Sequence, residues 1–176
     1  MGMKRILWMV PAGLTCLFHA APALAADSAG SCASKTEARQ LDYWLGEWAV
    51  TSPGMAGKGH SKVYLSQDKC MLIESWGSDT SDHRGENTMA YNGEDKAWYG
   101  LFVDNHGRAH MMTGTVTPGS AVLQGPSLDE NGGAVLKRVR IVLVNADAVE
   151  QIWEKSTDNG ATWTSDFKME YQRKKP

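Results

Sequence analysis

From residue 44 onward the chain is cut into short runs of β-favouring residues, each ended by glycine, asparagine, aspartate or proline. The runs fall at 44–52, 59–66, 70–76, 87–91, 96–103, 108–116, 121–125, 134–144, 148–155 and 161–171. The breaks include Asn92-Gly93-Glu94-Asp95, Asn105-His106-Gly107, Asn131-Gly132-Gly133 and Asp158-Asn159-Gly160. Glycine and asparagine supply the positive φ that tight hairpins require. Strands joined by such short turns run antiparallel, because a parallel crossover needs a dozen or more residues. A meander leaves two unpaired edges unless it closes. The pattern therefore predicts an all-β fold, an antiparallel up-and-down barrel of about ten strands.

One helical signal precedes the strands. Ser34-Lys35-Thr36-Glu37 reads as a capping box, and Ala38, Leu41 and Leu45 follow at helical spacing. A helix of about eight residues is too short to stand alone. It is expected to dock across one open end of the barrel.

The first 25 residues read as something other than fold. Lys4 and Arg5, an apolar stretch over 6–18 broken by Pro11 and Gly13, and Ala23-Leu24-Ala25 have the form of a secretory signal peptide cleaved after Ala25. The apolar run is too short and too punctuated for a membrane span. The expected organisation is 1–25 signal peptide, 26–33 N-terminal segment, 34–173 barrel and 174–176 basic tail. The expected location is the periplasm or the exterior, with no membrane association once the signal is removed. Cys32 and Cys70 then remain, and in an oxidising compartment they read as one disulfide, with two free thiols as the alternative. Such a link contributes about 3–4 kcal/mol on the loop-entropy model. Eighteen Lys and Arg against 20 Asp and Glu give a net charge of −2, which offers no basic excess for nucleic acid. Closure removes exposed edges, so a monomer is expected.

Three stretches of the chain resemble a known family. Arg39-Gln40-Leu41-Asp42-Tyr43-Trp44-Leu45-Gly46-Glu47-Trp48-Ala49-Val50 is similar to the opening signature of a bacterial lipocalin-like family filed as domain of unknown function 1579. Cys70-Met71-Leu72-Ile73-Glu74-Ser75-Trp76 resembles its third-strand pattern, and the run from Gln151 through Asp158-Asn159-Gly160 to Trp163 its last hairpin. The resemblance runs from about Cys32 to Tyr171 and implies a lipocalin or fatty-acid-binding-like barrel, usually secreted, without a settled activity. The chain departs from the pattern at Gly100 and Phe102, where bulkier Gln and Trp are expected; smaller residues there predict a larger pocket. Haem-binding barrels of the nitrobindin type share a similar Leu-Gly-x-Trp opening, but carry an axial histidine near the C-terminus. This chain has no histidine after His110.

Strand alternation divides each run into two sets without saying which faces inward. Glu74, mid-strand between Leu72 and Trp76, needs solvent or a partner. Arg140 is the complementary oddity among aliphatic residues, with Arg138 two positions away. A Glu74–Arg140 pair beside Gln151 would orient the polar end of a ligand or fix the barrel's register; the alternative is that these charges simply face outward. Trp76, Trp98, Phe102, Met112 and Trp153 are the candidate walls, with His110 near them. Asp104, His106 and His110 lie around one hairpin, but their spacing fits no zinc pattern. No metal or cofactor is expected. No nucleophile elbow or phosphate-cradling loop is present.

Three functions are compatible with these residues. The first is a secreted barrel that binds a small apolar or aromatic molecule in its lumen. The second is a cofactor-free lyase, isomerase or hydrolase in the same cavity, with Glu74 as base and Arg140 or His110 stabilising developing charge. The third is a filled structural barrel without a ligand.

Overall fold

Ten strands follow one another in the computed structural model, which describes residues 32–53 and 57–175. They are β1 (Gly46–Thr51), β2 (Lys58–Ser66), β3 (Met71–Ser78), β4 (Arg84–Asn92), β5 (Ala97–Asp104), β6 (Ala109–Thr117), β7 (Ser120–Leu128), β8 (Ala134–Asn145), β9 (Ala148–Ser156) and β10 (Thr164–Arg173). Each pairs antiparallel with the next, and β1 also pairs with β10, so the sheet closes into an up-and-down barrel. All ten runs expected from the sequence are strands. The expected signal peptide lies outside the described residues. No helix among the described residues is long and apolar enough to cross a membrane.

Alternation turns one set of each strand inward. Val50, Val63, Leu72, Met89, Trp98, Met112, Leu123, Val139, Ile141, Val149 and Trp153 form one buried cluster. Burial of aliphatic side chains of this size contributes roughly 1.5–3 kcal/mol each. Their neighbours in sequence, such as Tyr64, Tyr99, Leu101 and Met111, stand on the outer wall. Gly100 faces inward, but a Cβ there would lie 3.1 Å from Leu123 and 3.7 Å from Met89. The small residue therefore admits core side chains from neighbouring strands and adds nothing to the pocket, contrary to the sequence expectation.

The expected helix takes a different form. Three separate 3₁₀ turns, Cys32–Ser34, Glu37–Arg39 and Asp42–Trp44, run across one end of the barrel. Thr36, at the start of the second turn, makes no side-chain capping bond. Anchors along the rim explain the difference. Cys32 is bonded to Cys70, Ala38 and Leu41 are buried, and the Tyr43 hydroxyl donates to the Ile141 carbonyl at 2.9 Å. The 3₁₀ rise of about 2.0 Å per residue lets a short segment stretch between such anchors.

The last anchor is the tightest. Trp44 and Trp48 are fully buried, their rings set edge-on to Tyr171 at 5.8 and 6.3 Å. Arg173 at the end of β10 donates to the carbonyls of Leu45 (2.6 Å) and Tyr43 (3.1 Å), and its guanidinium lies 4.2 Å from the Trp48 ring. Gly46 makes this possible: its φ is +131°, and a Cβ there would lie 2.5 Å from Arg173 Nη1. The N-terminal segment thus plugs the end that carries the β2–β3 and β4–β5 turns. Among the described residues, the opposite end is left open.

The disulfide ties this plug to the start of β3 across a separation of 38 residues, with Cα atoms 5.4 Å apart. Replacing Cys32 and Cys70 together by serine is expected to lower stability by about 4 kcal/mol. The check is a chemical-denaturation midpoint that falls while the denaturant slope holds; an unchanged midpoint would show that the plug is held by packing alone.

Candidate functional site

The open half of the barrel contains a cavity of about 430 Å³. That lies within the usual range for small-molecule sites. Trp76, Phe102, His110, Trp153, Phe167 and Met169 supply its walls, and Glu74, Asn87 and Gln151 its floor. The plugged half is filled by Leu41, Trp44, Trp98, Met112, Leu123 and Ile141.

Four rings form a continuous aromatic wall. Phe102 and His110 stack with centroids 6.1 Å apart, and Trp153 meets Phe102 edge-on at 5.7 Å. Trp153 stacks in turn on Phe167 at 5.8 Å. These residues come from β5, β6, β9 and β10, so the wall exists only because the barrel closes. Burial is the first cause that holds His110 below the usual histidine pKa, and the charges of Lys137 and Arg108 add to it.

Glu74 forms the floor and is 1% exposed. Its Oε1 accepts bonds from Ser61 Oγ (2.9 Å) and Tyr171 OH (2.7 Å). Its Oε2 accepts from Asn87 Nδ2 (2.7 Å) and Gln151 Nε2 (3.4 Å). Gln151 is fixed in turn by Trp153, whose indole N–H donates to Gln151 Oε1 at 2.8 Å. No cation among the described residues takes part. Burial raises the Glu74 pKa, and the four hydrogen bonds oppose that rise without cancelling it. Tyr171 is pushed well above its usual range by burial and by the neighbouring carboxylate. Four donors occupy the lone-pair sites of one carboxylate, so this group is built first to be held.

The expected Glu74–Arg140 pair does not form. Val139 and Ile141 are the residues of β8 that face inward, which puts Arg140 on the outer wall. There Arg140 Nε and Arg138 Nε donate to Glu154 Oε2 at 3.0 and 2.8 Å. Burial alone would raise the Glu154 pKa; the two arginines outweigh it and hold it below the ordinary range. Of the other expected wall residues, Trp76, Phe102, His110 and Trp153 line the cavity. Trp98 and Met112 face inward as well, but lie in the filled half; the Trp98 indole N–H donates to Gln40 Oε1 in the plug at 3.3 Å.

The hairpin considered for a metal is arranged differently from its sequence order. His110 turns into the lumen, and His83 from the β3–β4 loop joins Asp104 and His106, their ligating atoms all within 4.8 Å of one another. Arg108 enters the same corner. Its Nε donates to Asp104 Oδ2 at 2.6 Å, and a terminal guanidinium nitrogen lies 2.9 Å from His83 Nε2. Asp104 also accepts the backbone N–H groups of His106 and Arg108. Burial would raise its pKa, but these donors hold it far below the usual carboxylate range. A guanidinium already supplies the positive charge here, and both carboxylate oxygens are engaged. The corner braces the open rim, with the His83 ring stacked on His106 at 4.8 Å and edge-on to Trp76 at 5.1 Å.

Sequence reasoning passed over Ser61, Asn87 and Tyr171, which complete the floor, and Lys137, Phe167 and Met169, which complete the wall. The Tyr171 signal was present: it shares a strand face with Phe167 and Met169, and a hydroxyl on an apolar face needs a partner.

Two substitutions test this geometry. The folded-state pKa of Glu74 lies above its unfolded value, so its contribution to stability is full at low pH and is lost as pH rises through the folded pKa. Glu74→Gln carries no such slope. Between about pH 5 and about pH 8 the stability of the parent relative to Glu74→Gln is expected to fall, as read from denaturation midpoints; a relative stability that rises with pH would mean the carboxylate is stabilised as an anion. Arg140→Gln is expected to cost about 1 kcal/mol or less, because its ion pair lies on the outer wall. It should leave binding of any lumen probe unchanged, and a loss of probe binding would place Arg140 at the lumen after all.

No family model and no curated protein sequence matches the chain. Among solved structures it is similar to one described as "Structure of EF1p2_mFAP2b bound to DFHBI", at 13% identity, covering 79% of this chain and 100% of that one, with a TM-score of 0.33. A likeness that slight carries no argument about the site, and the barrel stands on its own strand pairing.

Proposed function

We propose that this protein is an exported barrel that binds one small apolar or aromatic molecule in its lumen. The observation that carries the reading is the division of the interior: one half is packed solid, and the other holds about 430 Å³ walled by aromatic rings. A barrel built only for stability has no use for an open half of that kind, because unfilled space forfeits packing contacts. The polar floor supports the reading too, since ligand sites are mostly apolar with a few placed polar groups. Glu74 has its acceptor sites taken by four protein donors, which favours a positioning role over that of a base.

Export is part of the proposal. The Cys32–Cys70 disulfide fits an oxidising compartment. The signal-like leader ending at Ala25 supports the periplasm or the exterior as the destination. Membership of the lipocalin-like family is supported by what its motif residues do here. Trp44, Gly46 and Trp48 close the plugged end, and Cys70, Glu74 and Trp76 tie the plug, the floor and the mouth together.

Native mass spectrometry of protein purified from the compartment that receives it, set beside the same sample denatured, checks the binding reading. The expected result is a mass excess that disappears on denaturation. A bare mass, joined to failure of any apolar probe to enter the lumen, would sink it.

A further inference from the structure

The chemical class of the lumen's occupant can be read from the charges at its mouth. Lys137 lies on the inner face of β8, two residues before Val139, and Arg108 just precedes β6; both line the cavity. Lys137 stands directly opposite Lys155 across the β8–β9 pair. Like charges so placed repel. One carboxylate answers both: Asp166 lies 3.8 Å from Lys137 Nζ and 3.4 Å from Lys155 Nζ. Asp104 answers Arg108 at 2.6 Å. One ammonium charge at the mouth is thus left without a matching carboxylate in these pairs.

The rest of the lining points the same way. Lys58 adds a further cation, and Glu74 is the one carboxylate of the lining among the described residues, engaged by four donors at the floor. The indole N–H of Trp76 on the cavity wall is buried and has no hydrogen-bond partner among the described residues. It lies beside Gly59, another lining residue, whose Cβ would stand 3.2 Å away. The chain as a whole has a net charge of −2, so a cationic mouth is a local arrangement and not a share of an overall excess.

We propose that the lumen takes an amphipathic organic anion. Its flat apolar body lies against Phe102, Trp153 and Phe167, and its carboxylate, sulfonate or phosphate group stays at the mouth on Lys137 and Arg108. The proposal rests on the lumen being the binding site. The head group supplies the second negative charge that the facing Lys137 and Lys155 lack. It remains within reach of water, so its attraction is screened by salt, whereas burial of the body is not.

Two fluorescent probes separate the parts of this claim. Anilinonaphthalene sulfonate and phenylnaphthylamine share one aromatic body, and only the first carries an anion. Both are titrated into the disulfide-intact protein and into Lys137→Gln, with Lys62→Gln on the outer wall as control. The expected result is a Kd for the sulfonate about fivefold higher in Lys137→Gln, with the Kd for the neutral probe within about twofold, the size of one partly exposed charge pair. Lys62→Gln should change neither. In the unaltered protein, raising the ionic strength from about 0.01 M to about 1 M should weaken the sulfonate selectively, which tests the claim without any substitution. Equal response of both probes, or of neither, to Lys137→Gln and to salt overturns the anion proposal while the lumen reading stands. Failure of both probes to bind the unaltered protein overturns the lumen reading and this proposal with it.

Discussion

A buried carboxylate with no counter-cation among the described residues organises this barrel. Glu74 on β3 draws one donor each from β2, β4, β9 and β10, so four strands besides its own depend on one side chain. Taking such a group out of water is costly, and only well-placed donors offset the cost. The arrangement is therefore all-or-none: each donor is buried in its turn and would be orphaned without the carboxylate. It also lies at the boundary between two unlike halves. On one side of it the interior is packed; on the other it is open.

The two halves are finished in different ways. The packed end is sealed by chain from outside the meander, a run of 3₁₀ turns held by a disulfide, a pair of tryptophans and the Arg173 clamp. The open end is braced by polar and ionic contacts: Asp104 with Arg108 and His83, and Asp166 with two lysines. Apolar closure keeps water out, whereas ionic bracing keeps a rim in shape while leaving it wet. Among the described residues, the open end presents cations at its rim and aromatic rings beyond them.

Much of the fold could be read along the chain. Ten runs with tight turns between them imply ten antiparallel strands, and the structure has them. Glu74 stands out because a carboxylate in the middle of a strand's apolar set is anomalous, and the structure buries it. Arg140 was equally anomalous and turned out to lie on the outer wall. Local pattern cannot separate the two cases. Both arginines of β8 alternate with aliphatics, and which set faces inward depends on how β8 registers with β7 and β9. The capping box misled for a related reason: anchors at Cys32, Tyr43 and Trp44 pull the segment into 3₁₀ turns, whatever its helical preference.

What the sequence determined by itself was the list of strands, their antiparallel order, the available disulfide pair and the presence of one mid-strand carboxylate that needs solvent or a partner. These are local facts, carried by a period of two residues, by turn chemistry and by composition. What the tertiary structure decided was where each partner comes from. Gln151 and Tyr171 reach Glu74 across separations of 77 and 97 residues, and Lys137 meets Lys155 and Asp166 only after β8, β9 and β10 have paired in register. Closure of the barrel fixes those distances, and no stretch of chain short enough to be read as a motif contains them.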